Sequence, residues 1–143
     1  MNVIFEDLLS AYEFVSSAPY GEHTAILRKD SGKILFDSEI SGEHEATEDD
    51  INAPDAVAIP HKNDLDMGRD LVFAFVRSQL PGDYDRVREI FKKRGAYGRF
   101  KDLLDRRGLL QAWYDFEAQE QKAALRRWCA ENGIDTDDGR PSG

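Results

Sequence analysis

Apolar and polar positions recur with a helical period along much of the chain, interrupted by short runs of β-formers. Over residues 3–17, Phe5, Leu8, Leu9, Tyr12 and Val15 fall three and four apart, which predicts an amphipathic helix. Pro19 and Gly21 then break the chain. Thr24–Lys29 and Lys33–Ser38 are rich in β-formers and predict two strands. Asp30-Ser31-Gly32 joins them, and Gly32 suits the left-handed position of a three-residue hairpin loop. Residues 39–55 are polar and acidic, through Glu43, Glu45, Glu48, Asp49, Asp50 and Asp55, and predict a solvated loop. Ala56–Ile59, stopped by Pro60, predicts a third, edge-type strand.

From residue 63 onward the period is helical. Asn63 or Asp64 is placed to cap a helix to about Leu80, with Leu71, Val72, Phe75 and Val76 inward. Pro81-Gly82 breaks it. Asp83 starts a helix to Arg94 that Gly95 ends. Tyr97–Arg107 buries Phe100, Leu103 and Leu104, and Gly108 ends it. Leu109–Asn132 is the longest helix, and Gly133 stops it. At about 100° per residue its Leu109, Trp113, Phe116, Ala124 and Trp128 share one arc, opposite Gln111, Asp115, Gln119, Lys122 and Arg126. Tyr114, Leu125 and Cys129 widen the arc, with Tyr114 at the edge nearest solvent. Asp135–Gly143 has no apolar residue and is expected to be a disordered tail.

The sum is an α+β fold over residues 1–134. Residues 1–62 hold the N-terminal helix and a small three-stranded antiparallel sheet, and residues 63–134 a bundle of about four helices. Such a sheet is too small to shield itself, so helices must cover one face.

Charge divides the chain. Residues 1–66 carry 15 acids and 4 bases, residues 67–134 carry 10 acids and 14 bases, and the whole has a net charge of −9. That balance argues against tight non-specific nucleic-acid binding, since phosphates meet a mostly repulsive field beyond about 10 Å. It allows an acidic and a basic surface to attract each other between two copies. Leu71–Val76, the longest apolar run, is too short to span a bilayer, so no membrane association is expected. No secretory signal follows Met1, and a lone Cys129 permits no intrachain disulfide, which together point to the cytoplasm.

Several segments resemble a known family. Arg94-Gly95-Ala96-Tyr97-Gly98-Arg99-Phe100-Lys101-Asp102, Gly108-Leu109, Trp113-Tyr114-Asp115-Phe116 and Trp128-Cys129-Ala130-Glu131-Asn132-Gly133-Ile134 look like the C-terminal signature of the bacterial "uncharacterised protein family 158". Asp7-Leu8 to Phe14, Asp30-Ser31-Gly32-Lys33 and Ile59-Pro60-His61-Lys62 resemble its opening helix, its hairpin turn and the segment before its helical half. The resemblance supports the fold and implies no activity.

Residues 86–107 hold nine bases, Arg86, Arg88, Lys92, Lys93, Arg94, Arg99, Lys101, Arg106 and Arg107, against three acids, with Tyr97 and Phe100 among them. Such a mixture can hold phosphates and stack bases. The preferred reading is structural. Lys92-Lys93-Arg94-Gly95 and Asp105-Arg106-Arg107-Gly108 each place cations in a last helical turn before a glycine cap. Arg99, Lys101 and Tyr97, with Tyr114, remain as a candidate binding surface. His44-Glu45-Ala46-Thr47-Glu48 lacks the second histidine of a zinc helix, and the acids from Glu43 to Asp50 lack the ligand order of a calcium loop. No GxxxxGK[ST], GxSxG, CxxC or HExxH pattern occurs, and no cofactor, metal or catalytic residue is assigned. Cys129 is expected to be a packed thiol. The leading expectation is a non-enzymatic protein-interaction module whose partner is another protein or a second copy. The alternative is a nucleic-acid-binding accessory protein using the turn near Arg99. A third possibility is an enzyme built on His23, His61 and nearby acids.

Overall fold

The computed structural model describes residues 3–19 and 21–137. In chain order these form β1 (Val3–Ile4), α1 (Phe5–Ser16), β2 (His23–Arg28), β3 (Lys33–Ser38), β4 (Glu43–His44), α2 (Glu48–Ile51) and β5 (Ala56–Ala58). A 3-10 turn (Lys62–Leu65) leads to α3 (Arg69–Gln79), and a second (Pro81–Asp83) leads to α4 (Tyr84–Ile90). Then come α5 (Ala96–Arg106), α6 (Leu110–Glu131) and β6 (Thr136–Asp137). The fold is α+β, as the helical spacing and the runs of β-formers predict. The chain sorts into two compact units, residues 1–65 with 123–143, and residues 66–122.

The first unit is built on an antiparallel sheet of order β4-β3-β2-β5. β2 pairs β3 in a register that sets Leu27 opposite Ile34, and β5 pairs the other side of β2 with Val57 opposite Leu27. Alternation along β2 turns Ala25 and Leu27 inward. α1 meets them with Phe5, Leu8, Leu9, Ala11, Tyr12 and Val15. Leu125, Cys129 and Ile134 from the end of the chain complete this core. A fully buried leucine such as Leu8 or Leu27 contributes about 1.5–3 kcal/mol. Arg126 lays its guanidinium over the Phe5 ring, 3.9 Å from the centroid.

α6 ends as its glycine foretells. Gly133 has φ +67°, its N–H donates to Ala130 O, and the Ile134 N–H donates to Cys129 O at 2.8 Å. Lys29 reaches from the hairpin to donate to Asn132 O at 2.8 Å, satisfying another end carbonyl. The residues expected to fray do not all do so. Thr136 and Asp137 pair in parallel with Val3 and Ile4, and the Val3 N–H donates to Asp135 O. The rest of that expected tail, residues 138–143, lies outside the described residues.

The second unit packs Leu71, Val72, Phe75 and Val76 of α3 against Val87, Phe91, Phe100, Leu103, Leu104 and Trp113. Trp113 is its hub, edge-on to Phe100 at 5.2 Å and to Phe75 at 5.4 Å. The link from α5 to α6 is short because Gly108, φ +71°, turns the chain. Its N–H donates to Asp105 O, and the Leu109 N–H donates to Leu104 O at 2.8 Å.

Four local expectations change. The acidic stretch 39–55 holds β4, which makes the sheet four-stranded, and the one-turn helix α2. Thr47 and Asp50 form a reciprocal cap there, each side chain bonding the other's backbone N–H. α3 starts at Arg69 rather than near residue 63, because residues 62–65 close as a 3-10 turn and Asp66 takes a left-handed φ of 58°. α4 stops at Ile90, so Gly95, φ +74°, precedes α5 instead of capping α4. Asp83 does not cap α4. Its carboxylate is held by Arg107, at 3.0 Å from Nε and 3.1 Å from a terminal nitrogen.

Candidate interaction surface

Three of the four residues singled out in the sequence come together. Tyr97 and Lys101 lie four apart on α5 and so share a face. Tyr97 is 43% exposed, with its ring edge-on to the buried Phe91 at 5.0 Å. Its partial burial pushes the phenol pKa up, Arg69 opposes this, and Glu117 adds to it. Lys101 sets its ammonium 5.6 Å from the centroid of the Tyr114 ring, and Tyr114 is 41% exposed. A cation–π contact at such a site contributes about 0.5–1 kcal/mol. Lys101 thus lies against one exposed ring and one helical turn from a second.

Arg99 does not belong with them. Its guanidinium turns back and donates to Arg94 O at 2.9 Å, clamping the left-handed turn at Gly95. Several other bases of the stretch pair with acids at the surface. Arg88 pairs with Asp85 at 3.7 Å, Lys92 with Glu89 at 2.8 Å, and Arg107 with Asp83 at 3.0 Å. Arg107 depresses the Asp83 pKa chiefly by hydrogen bonding, and Lys92 does the same to Glu89. Because α4 ends early, Lys92, Lys93 and Arg94 occupy the turn after it rather than its last turn.

His23 and His61 are tied to backbone carbonyls. His61 is buried. Its Nε2 lies 2.9 Å from Ala18 O, and its Nδ1 accepts from the Asn63 N–H at 3.1 Å. His23 stacks flat on Phe14 at 4.4 Å, with Nδ1 3.1 Å from Phe14 O and from Ser17 Oγ. Each ring ties down the exit of α1 through its own carbonyl. Burial pushes the Cys129 thiol up to about 11, with Arg126 opposing, so it stays protonated and unreactive at neutral pH. Among the described residues no three His, Cys, Asp or Glu side chains gather as metal ligands, and no helix is long and apolar enough to cross a membrane.

Two features escape sequence reasoning. Arg28 bridges the acidic stretch, from Nε and a terminal nitrogen to Asp55 at 2.9–3.2 Å and from the other to Asp50 at 2.7 Å. The signal within reach was the capping pair Thr47 and Asp50, which marks order inside an apparent loop. The second is a groove beside α1, lined by Asp7, Ser10, Lys33, Ile34 and Phe36. No protein-family model, no curated protein and no solved structure matches the chain.

Proposed function

We propose that the chain is a non-enzymatic protein-interaction module, a relative of family 158 by the residues quoted above, that docks a protein partner or a second copy on the Tyr97–Lys101–Tyr114 face. The observation that carries this is the pair of part-exposed tyrosines around Lys101. Tyrosine held rigid at a surface is among the residue types that dominate binding hot spots, because little conformational freedom is lost on docking. The nucleic-acid alternative is weaker, since Arg88, Lys92, Arg99 and Arg107 are already engaged within the chain.

The test uses Tyr97→Ala with Tyr114→Ala. Both side chains are partly in solvent, so helicity should persist while co-purifying partners or self-association fall at least tenfold. Arg99→Glu is a poor probe because it opens the turn at Gly95. Unchanged partners and unchanged oligomeric state in the double variant refute the proposal. Partners that vanish on nuclease treatment transfer it to nucleic acid.

A further inference from the structure

Beside α1 the sheet of the first unit is incompletely covered. α1 lies over β2, whose Ala25 and Leu27 are buried, while Ile34 and Phe36 of β3 are only half-buried. Asp7, Ser10 and Phe14 fall three and four apart on α1 and form the facing wall. Between them lies a groove of about 370 Å3. A second hollow of about 270 Å3 continues past Phe36 to Asp37, Glu43 and Glu45. Phe36 lines both. Phe14 stands edge-on to it at 5.3 Å, making an aromatic floor at the junction.

The rim is acidic. Asp7 stands at one end and Asp37, Glu43 and Glu45 at the other, against the single base Lys33. Two of these carboxylates are held in place. Glu45 accepts from the Phe36 N–H at 2.8 Å, and Asp37 accepts from the Ala46 N–H at 3.4 Å and faces His44 Nδ1 at 3.6 Å. Each keeps a second oxygen. The surrounding unit adds to the field, with 18 acids against 7 bases over residues 1–65 and 123–143. The wall from Gly32 to Ser38 is roughly 20 Å long, the span of about six extended residues.

We propose that this groove docks a short, extended, basic segment of a partner protein, with apolar side chains on Phe14 and Phe36 and lysine or arginine toward Asp37 and Glu45. The site is separate from the Tyr97–Lys101–Tyr114 face and stands or falls without it.

The probe is a fluorescein-labelled hexapeptide alternating phenylalanine and lysine, followed by anisotropy. A second peptide with serine in place of phenylalanine carries the same charge. The first peptide is expected to bind the wild-type chain and the second at least tenfold more weakly. Ser10 is exposed, so Ser10→Trp fills the groove from the helix side without disturbing the core, and binding should fall at least tenfold. Asp37→Asn with Glu45→Gln keeps both acceptors of backbone N–H while removing charge. It should weaken binding about fivefold and flatten its salt dependence. Tyr97→Ala with Tyr114→Ala should bind the peptide as wild type does. Equal affinity for the two peptides, undiminished binding by Ser10→Trp, loss in the tyrosine variant, or no binding at all each overturns the proposal.

Discussion

Gly98 and Gly108 permit a clean measurement of what holds the candidate face in place. A methyl group added at either would meet no heavy atom within 4 Å, so steric fit drops out and backbone conformation decides. Gly98 lies inside α5 without a left-handed φ. Gly98→Ala therefore gains the difference between glycine and alanine in a helix, about 0.5–1 kcal/mol. Gly108 sits at φ +71°, where its N–H and that of Leu109 close the end of α5. Gly108→Ala forces a Cβ into the left-handed region and costs about 1–2 kcal/mol. Two identical chemical changes thus differ by roughly 2 kcal/mol with opposite signs, a ratio of roughly 30 in the folding equilibrium. In a chain of this size each kcal/mol moves Tm by roughly 2–4 °C. Urea and thermal melts followed by far-UV circular dichroism at neutral pH read both. If Gly108→Ala left stability unchanged or raised it, the turn would not depend on a left-handed cap. If Gly98→Ala lowered it, α5 would not start where the hydrogen bonds place it.

Acid titration tests the Arg28 bridge. Arg28 is the chief cause of a depressed Asp55 pKa, whereas Thr47 is the chief cause for Asp50. A depressed carboxylate adds stability that is present above its ordinary range near pH ~4 and is lost as pH falls from there through the lowered value. Arg28→Gln should therefore make stability fall less steeply on acidification while leaving in place the part of the Asp50 shift that Thr47 causes; parallel curves for the two proteins contradict this. A thiol reagent at neutral pH should label Cys129 only after denaturant is added, and fast labelling of the folded chain contradicts its burial. Trp113→Ala should cost about 3–5 kcal/mol in urea melts, because the ring is 1% exposed at the hub of its core, and a loss under 1 kcal/mol would displace it from that role.

The elements that could be found in sequence are those whose pattern is self-contained. α1 follows from a period of 3.6, the β2–β3 pair from two runs of β-formers around a turn glycine, and the helix end at Gly133 from a glycine after the last periodic residue. Tyr114 was placed at the solvent edge of its helix by angle alone, and it is 41% exposed. What could not be found depends on partners distant in the chain or on a backbone turn that the residue types alone do not set. Asp83 has the composition of a helix cap, but Arg107, far along the chain, claims its carboxylate. Arg99 has the look of a free surface base until Gly95 turns the backbone and sets Arg94 O within its reach. The acids around residue 50 repel one another, and besides the local Thr47–Asp50 cap it is Arg28, brought alongside by the sheet, that ties Asp50 and Asp55 together. The groove beside α1 likewise exists only once the helix lies over β2 and leaves β3 half-bare.

The short parallel pairing of Val3–Ile4 with Thr136–Asp137 has a consequence for how the chain is made. A ribosome releases Val3 long before its strand partner and before three of the side chains that pack on α1, from Leu125, Cys129 and Ile134. Residues 66–122 are unbroken in sequence and carry their own core, so they can fold while synthesis continues. The first unit must wait for its own C-terminus. During that interval the apolar face of α1 and the sheet it will cover are open to chaperones, and a nascent chain stalled before residue 123 should display a folded helical unit beside an unfinished sheet.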